Sequence, residues 1–244
     1  MWAVLRSEWI KWRKSPIMWL IFVSPALCSL IGLLENEDMG SGANQWDGLL
    51  HMMGVMHALL LMPLLTGVFA ASVCRLEHAG GGWKQLLSLP VSRSAVYAGK
   101  FVCVMLLLLA TQAVFLGAML IVGMVKGYTD PIQWSGLLFS LIGSWIACMP
   151  LAALQMGVSV AWASFAAPLA INAIFTLPNI IIANSERFAP YYPWDQPVLV
   201  LLSQQLDEGP DAFHLSMTTL YTVISVSFIL FFVVGHGYFR RKPI

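Results

Sequence analysis

Four polar residues inside apolar stretches are the first candidates for chemistry in this sequence. They are His57, Gln112, Gln155 and Asn172. Each could line a passage across a membrane, and each could equally hydrogen-bond a neighbouring helix. No Asp, Glu, Lys or Arg lies centrally in an apolar stretch. Because ion pathways and proton relays in membranes need such groups, the sequence disfavours a secondary transporter driven by a carboxylate.

Motifs for catalysis are weak. The HExxH pattern of metalloproteases is absent, and His57 is the only base near the centre of an apolar stretch that could activate Ser140 or Ser144. The two serines fit better into a ridge of small residues that permits close helix packing. That ridge comprises Gly136, Ser140, Ser144, Cys148 and Ala152. An intramembrane enzyme is therefore an alternative function, and packing is the favoured role of these serines.

The sequence predicts no cofactor, metal or disulfide in this chain. Its cysteines lie in or beside apolar stretches, without CxxC pairs or histidines at zinc-ligand spacing, and are predicted to be packed thiols; they are Cys28, Cys74, Cys103 and Cys148. The glycines at 80–82, followed by Trp83 and Lys84, lack the GxxxxGK[ST] spacing of a phosphate loop. Any ATPase that drives this protein must therefore be a separate polypeptide.

The elements that must position these residues are membrane helices. The chain has 244 residues, of which 59% are hydrophobic and 10% are charged, whereas soluble domains carry roughly a quarter charged residues. The net charge of +1 gives no field that would favour nucleic acid. We predict an all-α integral membrane protein forming one domain over residues 1–244. Its six predicted transmembrane helices span 17–35, 54–74, 100–125, 135–158, 166–183 and 217–238.

The basic residues predict the orientation of these spans. With both termini in the cytoplasm, 11 of the 13 Lys and Arg residues fall in cytoplasmic segments, as the positive-inside rule requires. The fifth span carries Pro168, Asn172 and Pro178, which predicts a kinked or partly irregular helix. Two outer loops are predicted at 36–53 and 184–216. The second contains Tyr191 to Trp194 and a short apolar run, which favours a re-entrant or surface-lying helix anchored by aromatic residues.

Residues 1–16 precede the first span and are predicted to form an amphipathic interfacial helix. Three tryptophans and Leu5 recur at spacings of three and four, which places them on one face with the tryptophans at headgroup depth. Cations lie elsewhere around the helix, toward anionic lipid. The predicted set is Trp2, Arg6, Trp9, Lys11, Trp12, Arg13 and Lys14. The alternative is an ordinary positive flank without a helix.

The loop at 77–100, between the second and third spans, contains a second short helix. Residues 83–89 supply apolar anchors, and Pro90 ends the helix because its ring removes a donor and clashes with the preceding turn. Ser92 can cap the next helix, which leads into the third span. The sequence therefore predicts a basic helix parallel to the membrane. It is either a connector without a partner or a docking point for a soluble protein.

This loop resembles that of type-2 ABC transporter permeases, especially the lantibiotic-immunity and bacitracin-resistance group. The family pattern is an acidic residue after span 2, then WK-x-LLS-x-P-x-S-R, then a Lys that opens span 3. The matching residues are Glu77, Trp83, Lys84, Leu86, Leu87, Ser88, Leu89, Pro90, Val91, Ser92, Arg93 and Lys100. The glycines at 80–82 depart from the pattern, in which polar residues are expected.

The resemblance implies a permease half that pairs with a second half, either a copy or a different chain, and with two ATP-binding subunits that hold ATP and Mg²⁺. It implies a bacterial inner-membrane exporter of an amphipathic peptide, with a passage lined by spans 2 and 5. Glu77 would fix the loop, against a basic group of the interfacial helix. The implied ATPase-coupling residues are Glu77, Trp83, Lys84, Leu86, Leu87, Leu89, Pro90 and Arg93. A secondary transporter or a membrane assembly factor is the remaining alternative.

Overall fold

A computed structural model describes residues 2–13, 15–34, 44–78, 81–88, 90–185, 187–203 and 216–242. These residues form helices and turns, and no strand occurs among them. The α-helices are α1 Trp2–Arg13, α2 Ile17–Leu20, α3 Val23–Leu34, α4 Gln45–Met56, α5 Met62–His78, α6 Gly82–Ser88, α7 Arg93–Val125, α8 Trp134–Ala147, α9 Met149–Ala161, α10 Ala166–Thr176, α11 Asn179–Ile182, α12 Gln196–Leu201 and α13 Met217–Arg241. A π-helical turn, His57–Leu61, joins α4 to α5, and a 3₁₀ turn, Ala189–Tyr191, precedes α12.

Within the described ranges, five helical stretches are long and apolar enough to cross a membrane: Ile17–Leu34, Gln45–His78, Arg93–Val125, Trp134–Ala161 and Met217–Arg241. An α-helical membrane protein is therefore confirmed. The predicted fifth span is the shorter apolar stretch Ala166–Ile182. It breaks between α10 and α11, at Leu177 and Pro178, as the prolines predicted.

The helix of the second span begins earlier than predicted. It starts at Gln45, so residues 45–53, predicted as loop, are helical; the Asn44 side chain caps it by accepting a hydrogen bond from the Trp46 N–H. Polar residues in its first turns concealed this start from a search for apolar runs. The helix that leads into the third span starts at Arg93, where Ser92 Oγ accepts from the Ala95 N–H, and this predicted cap is confirmed. Lys100 consequently lies two turns inside α7.

The contacts of Arg93 and Lys242 bring several helix ends together at one end of the bundle. The Arg93 guanidinium donates to the carbonyl oxygens of Arg240 and Lys242, at 3.0 and 2.9 Å. The Lys242 ammonium in turn donates to the Val160 carbonyl at 2.7 Å. The C-terminus of α13 therefore lies beside the start of α7 and the end of α9. We call this the basic end of the bundle, because α1 and α6 also lie here.

The chain between α9 and α13 runs from the basic end to the other end as a series of short helices joined by turns. It begins along α5, with the Arg75 guanidinium over the Phe165 ring, and Asn172 Nδ2 donates to the Pro63 carbonyl at 2.9 Å. Asn179 Nδ2 reaches the Leu59 carbonyl at 2.8 Å. The order of these contacts shows that α10 and α11 run antiparallel to α5. Helix α12 then continues along α8.

Helix α12 is buried, which contradicts the surface-lying alternative predicted for 184–216; the re-entrant alternative stays a prediction. Its four residues from Val198 to Leu201 are at most 5% exposed. They fit because Gly54 and Gly143 leave room: an added Cβ would lie 2.7 Å from Leu201 or Val200. The aromatic cluster packs onto α10, where the Trp194 ring stacks on Phe175 at 5.2 Å. Residues 186 and 204–215 of this predicted loop, and 36–43 of the other, lie outside the described residues.

The small-residue ridge packs inside the chain, a question that the sequence left open. Ser140, Ser144, Cys148 and Ala152 are at most 2% exposed. Ser144 Oγ accepts a hydrogen bond from Gln112 Nε2 at 2.7 Å, across the contact between α8 and α7. Close helix approach is thus the role that this stripe has here.

Asp195, which precedes α12, is an unpaired acid in the interior. Its side chain is fully buried, and neither carboxylate oxygen has a hydrogen-bond partner among the described residues. A buried carboxylate without donors is unfavourable, so this position is expected to lower the stability of the fold.

We expect Asp195→Asn to raise the unfolding midpoint at neutral pH by several degrees, because it removes a buried carboxylate that has no donor among the described residues. Thermal unfolding in detergent measures the effect. Asp130→Asn is the matched control, because Asp130 Oδ2 accepts a hydrogen bond from the Gln45 N–H, so its replacement should not raise the midpoint. A midpoint at or below the wild-type value in the Asp195 variant would contradict the assignment.

Candidate functional site

Four charged side chains meet at the basic end of the bundle, beneath α6. The Lys11 ammonium lies 2.7 Å from Glu8 Oε1 and 2.6 Å from Glu77 Oε1. The Lys100 ammonium lies 2.8 Å from Glu77 Oε2 and 3.2 Å from Glu8 Oε1. We call these residues, Glu8, Lys11, Glu77 and Lys100, the four-charge cluster. It joins α1, α5 and α7 and carries no net charge.

Three members of the four-charge cluster are removed from solvent. Glu8, Glu77 and Lys100 are 1%, 3% and 0% exposed. Burying an unpaired charge costs several kcal/mol, so each buried charge here depends on its partners. Lys100 also donates to the Val73 carbonyl at 2.8 Å and lies 5.6 Å from the centre of the Trp83 ring. Its ammonium is thereby tied to the loop helix α6 by a cation–π contact.

Lys11 is the partly exposed member of the cluster. Burial by itself would lower its pKa, but its hydrogen bonds to Glu77 and Glu8 and their negative charges outweigh burial and raise the pKa overall. Lys11 therefore stays cationic throughout the physiological range. The ion pairs that attach α1 to the bundle should therefore not weaken when the pH rises above neutral.

Helix α1 forms, but its inward face differs from the predicted tryptophan face. Val4, Glu8 and Trp12, spaced by four residues, are at most 5% exposed, whereas Trp9 is 51% exposed. The Glu8–Lys100 ion pair decides this orientation, and Gly99 lets Val4 approach α7 closely, because an added Cβ would lie 2.9 Å from it. Arg6 is exposed. The side chains of Trp2 and Arg13, and all of Lys14, lie outside the described residues.

Glu77 contacts a basic group of α1, as the sequence predicted, and that group is Lys11. Glu8 was not predicted as a site residue, and Lys100 was predicted only as the opening of span 3. A signal for Glu8 was present, because Glu8 and Glu77 are the only acids in the segments that the basic residues mark as cytoplasmic. The sequence did not show that these acids meet two cations from other helices.

Helix α6 is seated on the basic end by its first residues. The Trp83 side chain is 7% exposed, and its Nε1 donates to His78 Nδ1 at 3.3 Å. His78 Nε2 donates in turn to the Ser159 carbonyl at 2.8 Å, which connects α6 to α9. Leu86 is partly buried against the core, and the side chains of Lys84, Gln85, Ser88 and Pro90 are exposed. Leu89 and the Leu87 side chain lie outside the described residues.

Gly82 explains part of the departure from the family pattern. A Cβ added there would lie 2.8 Å from Glu77 Cα and 2.9 Å from the Leu76 carbonyl oxygen. Only glycine allows α6 to pack so closely on the end of α5. Gly81 has φ +75°, which favours glycine for a second reason. Gly81 and Gly82 therefore allow α6 to start close against the end of α5.

Arg93, predicted to take part in ATPase coupling, is half-buried and contacts the C-terminal end of α13. Its guanidinium supplies donors to carbonyl groups that no helical N–H can reach. Trp83 contacts the same element, with its ring 5.1 Å from that of Phe239. The loop at 77–100 thus joins the ends of α5, α9 and α13.

The polar residues predicted as passage lining form two buried networks. His57 Nδ1 lies 2.6 Å from Ser24 Oγ, and His57 Nε2 lies 2.8 Å from Gln112 Oε1, whose amide donates to Ser144. In the second network, Gln155 Nε2 and Trp194 Nε1 both donate to Asn172 Oδ1, at 2.9 Å.

All four predicted lining residues are at most 4% exposed. In this chain they hydrogen-bond neighbouring helices, which is the alternative that the sequence analysis kept open. The Ser24–His57 pair has the atoms of an activated nucleophile, but both side chains are fully buried. This arrangement suits helix packing, and it holds the π-helical turn at His57 against α3 and α7.

The four-charge cluster predicts that Lys100→Met destabilises the protein by about 3–5 kcal/mol, because two buried carboxylates then share one cation. Lys84→Met removes an exposed lysine and should change stability by no more than about 0.5 kcal/mol. Thermal unfolding in detergent compares the two variants. Adding Glu8→Gln to Lys100→Met should recover part of the loss, since the remaining cluster is again neutral. Equal melting of the two lysine variants would show that the pairing contributes nothing.

Comparison with known families places this end of the bundle within a matched region. The model of a family described as ABC-2 family transporter proteins matches residues 4–179. The matched region begins within α1 and includes the four-charge cluster, α6 and the first four long apolar helices. No curated protein matches the chain. Since the match covers more than half of the sequence, the chain belongs to the ABC-2 family of transporter proteins, as a membrane subunit of an ABC transporter.

Proposed function

We propose that this permease takes its power stroke through α6, from an ATP-binding subunit that docks on the basic end of the bundle. The observation that carries the proposal is the division of α6 into two faces. Trp83 is buried and bonded to His78, whereas Lys84, Gln85 and Ser88 face outward on consecutive turns. A short helix that is anchored on one side and presents a polar, basic side to solvent suits a soluble partner.

The four-charge cluster would transmit a displacement of α6 to the membrane helices. Trp83 covers Lys100, and Lys100 holds Glu8 of α1 and Glu77 of α5. The ends of α9 and α13 are joined to the same loop through His78 and Arg93. A push on α6 therefore acts on several helix ends together, as a lever in a two-state gate requires.

We infer that the basic end faces the cytoplasm of a bacterial cell. It carries α1, α6, the end of α13, the last turn of α5 and the first turns of α7. Together these hold nine of the 13 lysines and arginines of the chain: Arg6, Lys11, Arg13, Arg75, Lys84, Arg93, Lys100, Arg240 and Arg241. Because α9 ends and α13 ends at this same side, the pieces α10 to α12 would supply a sixth, discontinuous crossing. Both termini would then lie in the cytoplasm.

The proposed cargo is an amphipathic peptide such as a lantibiotic, moved outward between two permease halves. Helix α13 leaves most of its surface uncovered; Val226, Ile229 and Val233 are about 60% exposed. Beside it, Leu138, Ile142 and Tyr221 line an apolar groove of about 390 Å³ between α8 and α13. An uncovered apolar face suits contact with lipid, with a second permease half and with the apolar side of a peptide better than a route for ions.

The orientation predicts which engineered thiols can be labelled from outside the cell. The four native cysteines are buried, so a new surface cysteine should dominate the reaction. Arg187→Cys, in the connection between α11 and α12, should react with a membrane-impermeant maleimide in intact cells. Lys84→Cys should react only after permeabilisation. Labelling of Lys84→Cys in intact cells would show that the basic end faces outward, which would contradict the docking proposal.

Docking on α6 predicts that Lys84→Glu and Leu86→Asp each reduce capture of the ATP-binding subunit by about tenfold or more. The first variant reverses a charge on the outward face, and the second places a carboxylate in the seat of α6. Co-purification with the co-expressed ATP-binding subunit and peptide-stimulated ATP hydrolysis measure the effect. Membrane insertion should persist in both variants.

Arg187→Glu is the matched charge-reversal control, because Arg187 is an exposed cation outside the basic end. It should leave capture and hydrolysis unchanged. Wild-type capture by Lys84→Glu, with Leu86→Asp the only defective variant, would mean that α6 is a structural support and does not contact the partner.

A further inference from the structure

A cleft beside the four-charge cluster belongs to none of the roles described so far. It lies at the basic end between α1, the start of α2 and the last turns of α5, with Phe165 at its mouth, and has a volume of about 420 Å³. We call it the α1–α5 cleft. Its lining includes the polar residues Glu8, Lys11, Ser15 and Arg75 and the apolar residues Leu20 and Val68. Val68 precedes Arg75 by two turns of α5, about 10 Å along the helix axis, so the apolar part of the cleft lies away from the charged part.

Among the described residues, the charges around the α1–α5 cleft leave one cation, Arg75, without a compensating acid. Glu8 and Glu77 are balanced by Lys11 and Lys100 within the four-charge cluster. Arg75 is exposed, and its guanidinium lies over the Phe165 ring, 5.0 Å from its centre. This part of the cleft therefore carries an excess of about one positive charge, which suits one monoanionic group.

Trp12 supplies an independent indication of a ligand. It lines the cleft, its side chain is 5% exposed, and its Nε1 has no hydrogen-bond partner among the described residues. A buried indole N–H without an acceptor is costly, and such groups in folded proteins nearly always have a partner. A phosphate or ester oxygen held in the cleft would provide that acceptor.

We propose that the α1–α5 cleft binds one anionic phospholipid. The phosphodiester would lie between Arg75 and Lys11 with an oxygen toward the Trp12 N–H, and an acyl chain would run along Leu20 and Val68. An amphipathic ligand matches a cleft that is cationic at one end and apolar at the other. The inference depends on the proposed function only in placing the basic end at a membrane surface. It does not depend on an ATPase.

The bound lipid would act as a wedge between α1 and α5. Both helices reach into the four-charge cluster, so occupancy of the cleft would hold Lys11 and Glu77 in the observed positions. Lipid composition would in this way influence how firmly α6 is seated. Inorganic phosphate lacks the chain that fills the apolar part, and a neutral diacylglycerol lacks the group that Arg75 selects.

Native mass spectrometry of the full-length chain in detergent tests the proposal. Dioleoyl phosphatidylglycerol should bind as one retained molecule, at least about tenfold more tightly than dioleoylglycerol, and millimolar inorganic phosphate should not displace it. Arg75→Gln should weaken binding about fivefold, and Trp12→Phe, which removes only the N–H donor and one ring, about twofold to tenfold.

Two matched controls use the same substitutions outside the cleft. Arg241→Gln changes an exposed cation of the basic end, and Trp9→Phe changes the exposed tryptophan of α1; both should bind lipid as wild type does. Equal retention by Arg75→Gln and Arg241→Gln, equal binding of dioleoylglycerol, or displacement by phosphate would each overturn the proposal. The assay contains no ATP-binding subunit, so a failure of α6 docking would leave its result unaffected.

Discussion

The pairing of two carboxylates with two ammonium groups beneath α6 is the interaction on which the rest of the basic end depends. Glu8 and Lys100 are both buried, and neither would be tolerated there alone. The Glu8–Lys100 pair sets the rotation of α1, and the Glu77–Lys100 pair draws α5 toward α7. Lys100 also gives the Trp83 ring a cation to cover. Apolar packing could join these helices in several rotations, since it is non-directional. Charges with fixed partners leave one arrangement.

Close backbone approach complements the charges. Gly82 brings α6 against the last turn of α5, and Gly99 brings Val4 against α7. At both positions a larger residue would push apart the helices that the ion pairs hold. Small residues and buried charges thus act together: the glycines set the distance between helices, and the ion pairs set their rotation. The same division appears deeper in the bundle, where Ser144 permits the contact and Gln112 bonds across it.

The sequence predicted much of this structure through local signals. Pro90 ends one helix, Ser92 caps the next, and Pro178 breaks the fifth apolar stretch, as predicted; the basic partner of Glu77 on α1 was implied by the resemblance. The four-charge cluster itself was not predicted, because hydropathy gives no reason to expect Glu8 and Lys100 in an apolar interior. Only their charged partners, distant in sequence, make this burial favourable, and those partners are set by tertiary contacts.

Different kinds of polar contact hold the two ends of the bundle. At the basic end, ion pairs and side chain–carbonyl bonds hold α1, α5, α6, α7, α9 and α13 to one another. Toward the other end, α10, α11 and α12 are short pieces joined by turns; the neutral side chains of Asn172 and Asn179 bond them to α5 and to the π-helical turn, and Asp195 is buried among them without a partner in the described chain. If force enters through α6, as we propose, the ion-paired end would receive it and the broken helices would be where the chain changes shape. A turn absorbs a change in direction that a continuous helix would resist.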